Sequence, residues 1–158
     1  MNKELLLGLI LTILPISELR GGLPVVVNYA IKNDQSILFY FILVLILNIA
    51  IAFLIFIFLE YVHKHLLKFK FYKKTIDKYL ERVWRKSHKI QQKSGLFQYL
   101  ALALFVATPL PGTGAWTGTA IAWALGLDRS KSLISIALGV TAAGLLVLLA
   151  SLGVLFAL

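Results

Sequence analysis

The sequence contains no cysteine, only four prolines and only seven acidic residues among its 158. Without cysteine there can be no disulfide framework, no thiol nucleophile and no cysteine metal site. Charged residues make up 15% of the chain and hydrophobic residues 59%, whereas soluble domains have about 25% and about 45–50%. The mean hydropathy is +0.87, which excludes an intrinsically disordered chain. The composition therefore predicts a single membrane domain over residues 1–158.

The formal net charge of +9 is concentrated in one segment. Eleven of the sixteen basic residues lie between Lys64 and Lys93, with apolar residues at helical spacing among them. This pattern is typical of a basic amphipathic helix in an anionic headgroup layer. Because Lys/Arg-rich loops stay in the cytoplasm, we expect residues 63–94 to be cytoplasmic and to bind anionic lipid, with no nucleic-acid partner. The expected location is the cell (cytoplasmic or inner) membrane, crossed several times.

Two blocks flank the basic segment, residues 4–62 and 95–158. Each block ends in an apolar run that can cross a hydrocarbon core of about 30 Å. These runs are residues 37–62 and 133–158. Before each run, two shorter apolar arms are separated by a break rich in proline and glycine, which end helices. The breaks are residues 15–24 and 108–118. An arm of about ten residues rises about 15 Å as a helix, half of the core. The first arm is not expected to be a signal peptide, because no small-residue cleavage site follows it.

The two blocks align at an offset of 94 residues, which indicates an internal repeat. The matching positions are Pro15 with Pro109, Ala30 with Ala124, Asp34 with Asp128 and Ser36 with Ser130. Both aspartates are expected to be N-caps of the long helices. If each broken unit enters the membrane and returns, the repeats are inverted; if each unit crosses as a kinked helix, they are parallel. The positive charges of Arg129 and Lys131 favour the inverted arrangement, which places them in the cytoplasm. The predicted fold is an all-α integral membrane protein with two inverted repeats, each a re-entrant helical hairpin followed by a transmembrane helix.

The first break holds the two ionisable side chains that lie inside the apolar blocks, away from their ends. An intramembrane charge is costly unless it is paired or hydrated, so these residues are functional candidates. One interpretation is a mutual ion pair that holds the break together. The other is that the Arg20 guanidinium binds a phosphate or carboxylate, while Glu18 carries a proton because burial disfavours its charged form. We expect the helix to restart at Val25, with its N–H groups directed at the same place. The candidate residues for binding and coupling in this break are Glu18, Arg20, Gly21, Gly22 and Pro24.

The second break contains no charged side chain. Its hydroxyls, its free backbone N–H groups and its indole N–H predict a donor-rich lining for an anionic headgroup, although its small residues could instead serve close helix packing. The candidate residues there are Thr108, Pro109, Pro111, Gly112, Thr113, Gly114, Trp116 and Thr117. Breaks that enter from opposite faces would meet near the midplane, where transport sites of inverted-repeat proteins lie. Asn48 is expected to bond a neighbouring helix rather than a ligand.

Sequence patterns of catalysis are missing. There is no P-loop, no dinucleotide-binding glycine pattern, no nucleophile elbow and no metal-ligand spacing. We therefore expect no enzyme activity, no cofactor and no metal, and no ATP-driven transport by this chain alone.

Both breaks resemble motifs of the small multidrug export protein family. The first motif is Ser17-Glu18-Leu19-Arg20-Gly21-Gly22-Leu23-Pro24, and the second is Thr108-Pro109-Leu110-Pro111-Gly112-Thr113-Gly114-Ala115-Trp116-Thr117-Gly118. The resemblance covers essentially the whole chain. The family is similar in turn to the DedA/VTT (SNARE-associated) superfamily, whose members have two opposed re-entrant hairpins and include lipid flippases and scramblases. That similarity implies a phospholipid or polyprenyl-phosphate substrate and proton-linked transport. The chain lacks the arginine that the DedA pattern has in and after the second motif, unless Arg129 takes that part.

Three functions are compatible with these residues. The leading hypothesis is a transporter or flippase of an anionic lipid, in which Arg20 binds the headgroup and Glu18 couples a proton. The second is an exporter of small lipophilic cations, in which Glu18 is the counter-ion and Arg20 releases it. The third is a non-transporting membrane scaffold. Because two spans and four short arms make a thin bundle, we expect a homodimer or a higher homo-oligomer.

Overall fold

The computed structural model describes residues 3–62, 81, 95–110 and 112–157. The described residues form helices and no strands, which confirms the all-α prediction. A π-helical turn, Phe58–Val62, continues the third helix. Within the described parts of the chain, six α-helices have defined bounds: α1 (Lys3–Ile13), α2 (Glu18–Lys32), α3 (Ile37–Ile57), α4 (Leu96–Ala107), α5 (Ala115–Ala124) and α6 (Arg129–Ala157). The predicted basic amphipathic helix of residues 63–94 lies almost entirely outside the described residues.

Two of these helices, Ile37–Tyr61 and Arg129–Val154, are long and apolar enough to cross a membrane. Only 28% and 33% of their most apolar windows are buried within the protein. A core helix of a soluble protein would be mostly buried. Instead, large side chains such as Leu38, Ile46 and Leu149 are 66%, 56% and 68% exposed. Continuous apolar surface of this kind suits contact with lipid rather than with water, so the chain is a membrane protein.

The short helices α1 and α2 pack as a tight antiparallel pair. Gly8 of α1 lies against Val26 of α2, and Gly22 of α2 lies against Thr12 of α1. A Cβ atom on Gly22 would overlap the Thr12 side chain and the backbone of α1. The absence of a side chain at this position therefore lets the two backbones approach each other closely.

The first break is shorter than the sequence analysis predicted. Helix α2 begins at Glu18, so the prediction that it restarts at Val25 is wrong. Gly21 donates its N–H to Ser17 at 2.9 Å, and α2 includes Gly22 and Pro24 as well. These residues were predicted to lie in the break, where proline and paired glycines end a helix. The packing of the glycine face against α1 stabilises a helix that their intrinsic propensities disfavour.

The second pair of short helices follows the offset of the repeat. Helix α4 ends at Ala107, which is 94 residues after α1 ends at Ile13. Residues 108–114 connect it to α5, where Gly118 packs against Val106 and Leu102 of α4. The second break is thus also shorter than predicted, because the last residues of its motif belong to α5.

The two long helices pack in opposite directions. Arg129 at the start of α6 forms an ion pair of 3.2 Å with Glu60, just after α3. Further along α6, Gly144 packs against Phe41 and Leu45, near the start of α3. The connection that precedes α6 therefore lies beside the end of α3, where the basic segment begins. Helix α2 contacts both long helices and α1, and its fully buried side chains form much of the core.

Polar residues cap and join these helices. Asp128 accepts a hydrogen bond of 2.9 Å from the Lys131 N–H, which confirms it as an N-cap. The same prediction for Asp34 is wrong, because Ser36 is the N-cap of α3 and accepts from the Phe39 N–H. Ser36 directly precedes the helix, whereas Asp34 lies in the turn after α2 with φ +52°. Asn48 is buried and donates to the Thr12 carbonyl of α1 at 3.4 Å, which confirms that it bonds a neighbouring helix.

Candidate functional site

Glu18 is a buried carboxylate at the point where the two breaks meet. The residue is 3% exposed. Its Oε1 accepts a hydrogen bond of 3.1 Å from the backbone N–H of Trp116, in the first turn of α5. Its Oε2 lies 3.5 Å from Nη1 of Arg20. A carboxylate at this place is favourable because the N-terminus of a helix carries partial positive charge and unsatisfied N–H groups.

Gly114 makes room for this carboxylate. It is the N-cap residue of α5 and has no side chain that could accept a hydrogen bond. A Cβ atom on Gly114 would overlap the Glu18 carboxylate. The cap of α5 is therefore supplied by Glu18 at the start of α2. Its charge suits a helix N-terminus, and the missing side chain of Gly114 lets the carboxylate approach.

Arg20, which belongs to the first break, binds the other end of the second break. Its Nη2 donates to the Thr108 carbonyl at 2.8 Å, to the Val106 carbonyl at 3.3 Å and to the Thr113 hydroxyl at 3.0 Å. These carbonyls lie at the end of α4, where a helix carries partial negative charge. The buried Nε of Arg20 has no hydrogen-bond partner among the described residues. The two charges thus bridge the gap between the end of α4 and the start of α5.

The contact between the breaks is reciprocal. The indole Nε1 of Trp116 donates to the Ile13 carbonyl at 3.0 Å, at the end of α1. Arg20 of the first break therefore binds the end of α4, while Trp116 of the second break binds the end of α1. The backbone repeats as well: Glu18 has φ +47° and Gly112, 94 residues later, has φ +75°. A left-handed conformation is strained for glutamate, so its surroundings hold Glu18 in this position.

The remaining candidates of the second break are mostly occupied within the break itself. The Thr108 hydroxyl donates to the Leu104 carbonyl, and the Thr113 hydroxyl donates to the carbonyls of Thr108 and Leu110. Pro109 is exposed, Thr117 is half-buried in the first turn of α5, and Pro111 lies outside the described residues. The backbone amides around Gly112, Gly114 and Gly118 were predicted to be free, which is wrong at Gly118, whose N–H donates to the Gly114 carbonyl at 2.9 Å.

Arg129 is placed away from this cluster. It forms the ion pair with Glu60, and its guanidinium lies 4.7 Å from the centre of the Phe53 ring. The structure does not bring it to Glu18 and Arg20. Among the described residues, no group of three or more metal-ligating side chains occurs.

Two cavities of very different size lie near the cluster. The one lined by Glu18 and Arg20 holds about 10 Å³, roughly the space of one water molecule. The second holds about 540 Å³ between α3, the first break and α5, and its lining includes Pro15, Phe58 and Trp116. The sequence analysis did not find this cavity. The helix-capping role of Glu18 was also missed, although the lack of a capping side chain before Ala115 is a signal that α5 needs an acceptor from elsewhere.

Comparison with known proteins gave one match. A family model described as "Putative small multi-drug export protein" matches residues 18–146, which is more than half of the chain and includes Glu18, Arg20 and the whole second break. Neither the comparison with curated proteins nor the comparison with solved structures returned a match. The family match confirms the resemblance carried by the two motifs, while the similarity to the DedA/VTT superfamily stays a prediction.

Proposed function

Because the chain belongs to the small multi-drug export protein family, we propose that it exports small lipophilic cations across the membrane, with Glu18 as the site that binds the cation or a proton in turn. The family's description names a class of transporter and not a class of enzyme. Lipophilic cations are the drug class for which a buried carboxylate is the natural counter-ion.

The observation that carries this proposal is the burial of the Glu18 carboxylate between the start of α5 and the Arg20 guanidinium. A buried carboxylate is destabilising unless its charge is compensated. Here the compensation comes from two backbone N–H groups at the start of α5, that of Trp116 at 3.1 Å and that of Ala115 beside it, and from Arg20 at 3.5 Å. The contact with Arg20 is longer than the one with Trp116, and an arriving cation can replace Arg20 as the compensating charge.

Arg20 is suited to releasing Glu18 when a cation arrives. Its shortest hydrogen bonds are with the Thr108 carbonyl and the Thr113 hydroxyl. These bonds remain when the longer contact with Glu18 is lost, so the guanidinium stays partly satisfied. The same contacts disfavour the lipid-phosphate hypothesis, because the Arg20 Nη2 is already occupied by the carbonyls of Val106 and Thr108 and by the Thr113 hydroxyl. That hypothesis stays a prediction, as does the binding of anionic lipid by the basic segment.

Helix directions support an inverted-repeat arrangement for this transporter. Antiparallel short helices in each hairpin and antiparallel long helices are what two re-entrant units of opposite orientation require, whereas parallel repeats would need α3 and α6 to run the same way. In the inverted arrangement the Glu18–Arg20 pair lies near the midplane, and the Glu60–Arg129 pair lies at the cytoplasmic face with the basic segment. A homodimer remains part of this proposal, because so much of both long helices is exposed.

The test is efflux of tetraphenylphosphonium from proteoliposomes, driven by a pH gradient. We expect the Glu18→Gln variant to lose the pH-driven efflux, because it can neither release a proton nor neutralise a cation. Glu4→Gln, a change at an exposed carboxylate at the start of α1, is the matched control and should transport normally. Efflux that persists in Glu18→Gln would contradict the proposal. Flipping of a fluorescent phospholipid in the same vesicles that is lost in Arg20→Ala would favour the lipid hypothesis, and loss of stability alone would favour the scaffold.

A further inference from the structure

The large cavity next to the second break has the size of a small-molecule site. Its volume of about 540 Å³ falls within the range of about 300–1,000 Å³ that is typical of small-molecule sites. The residues that line it are apolar or aromatic. On one side lie residues of α3 and its π-helical turn, and on the other lie Pro15 of the first break and Trp116 and Ala120 of α5.

We propose that this cavity binds the apolar body of the exported cation, and that Trp116 communicates its occupancy to Glu18. The inference rests on the proposed export function and adds the substrate site and the residue that links it to the carboxylate.

Trp116 connects the cavity with the Glu18 carboxylate. Its side chain lines the cavity, its indole N–H holds the Ile13 carbonyl, and its backbone N–H holds the Glu18 carboxylate. A molecule that displaces the ring pulls on both hydrogen bonds, one to the end of α1 and one to Glu18. Filling the cavity therefore loosens the contact that neutralises the buried carboxylate.

Access to the cavity is from the side of the protein. Leu54 and Phe58 on its rim are 57% and 40% exposed, whereas Ala120 at its inner wall is 1% exposed. The rim lies on the surface that faces lipid if α3 crosses the membrane. A lipophilic molecule dissolved in the bilayer can reach the cavity without passing through water.

Charge favours a cation as the occupant. Trp116 lines the cavity, and indole rings attract organic cations. The backbone N–H of the same residue is bonded to the negatively charged Glu18. Arg20 does not line the cavity, so a lipid phosphate would find no cationic partner there. A bilayer acyl chain is the remaining alternative, and the experiment separates it from the cation.

The experiment measures tetraphenylphosphonium binding to the detergent-purified protein by equilibrium dialysis. Leu54→Trp places a large side chain at the rim, and we expect it to weaken binding by about tenfold or more. Leu149→Trp, the same change at an exposed position of α6 outside this cavity, is the matched control and should bind like the parent. Trp116→Phe keeps an aromatic ring and should bind within a few-fold, whereas Trp116→Ala should not bind.

Fluorescence gives a second readout. In a variant with Trp84→Phe and Trp123→Phe, only Trp116 emits, and we expect tetraphenylphosphonium to change its emission with the same Kd as in dialysis. The inference would be overturned if tetraphenylphosphonium bound without changing Trp116 emission and if Leu54→Trp bound it with the affinity of the parent protein. A co-purifying lipid that fills the cavity and that tetraphenylphosphonium does not displace would also overturn it. Normal efflux in Leu54→Trp would overturn the cavity assignment alone. Efflux that does not depend on Glu18 would overturn the proposed function and the link from Trp116 to Glu18, but not the binding of tetraphenylphosphonium in the cavity, which dialysis measures separately.

Discussion

The Glu18 carboxylate accepts a hydrogen bond of 3.1 Å from the Trp116 backbone N–H, although 98 residues of chain separate the two. This contact joins the first break to the second, and it gives the first turn of α5 the acceptor that its own N-cap glycine cannot supply. The indole of the same tryptophan binds the end of α1. One short cluster therefore joins the α1–α2 pair to the α4–α5 pair at Glu18 and Arg20.

A methyl group at Gly114 tests whether the carboxylate lies where the structure places it. We expect Gly114→Ala to destabilise the protein by about 1–3 kcal/mol, as overpacking does, because the new Cβ would overlap Glu18. Gly153→Ala in α6 meets no atom within 4 Å and should be neutral or slightly stabilising. Thermal unfolding in detergent measures both variants. Equal Tm values for the two would show that Glu18 does not occupy the space above Gly114.

The Glu18–Arg20 pair should show strong energetic coupling. Arg20→Gln alone leaves a buried carboxylate without its cation, which costs about 3–5 kcal/mol. Adding Glu18→Gln removes the charge that caused the loss, so the double variant should be more stable than the sum of the single effects implies. The Glu60–Arg129 pair is the control: its side chains are 34% and 30% exposed, and its coupling should stay below about 1 kcal/mol. Similar coupling in both pairs would contradict the assigned burial.

The absence of cysteine makes the topology directly measurable. Two exposed positions are suited to labelling. Gln35 lies in the connection that precedes α3, and Ser130 lies at the start of α6. We expect single-cysteine variants Gln35→Cys and Ser130→Cys to be labelled by an impermeant maleimide from opposite sides of the membrane, with Ser130→Cys cytoplasmic. No native thiol interferes, because the parent chain has none. Labelling of both positions from the same side would support parallel repeats.

The sequence predicted the elements whose signals are local. Runs of apolar residues predicted both long helices, the offset of 94 residues predicted the matching helix ends, and the cost of intramembrane charge singled out Glu18 and Arg20. The errors arose where tertiary contacts outweigh local propensity. Gly22 was expected to let the backbone turn in the break, but it allows α2 to pack on α1 and remain helical. The side chain that caps α5 comes from the first residue of α2, and no local pattern indicates which residue that is.

The exchange of cation and proton at Glu18 is tested most directly by the pH dependence of tetraphenylphosphonium binding. If both compete for one carboxylate, raising the pH removes the proton and the affinity of the parent protein should rise. In Glu18→Gln the site cannot take up a proton, so its weaker affinity should not change with pH. The decisive result is the slope of log Kd against pH. A slope that is present in the parent and absent in Glu18→Gln is predicted, and the same slope in both proteins would contradict the account.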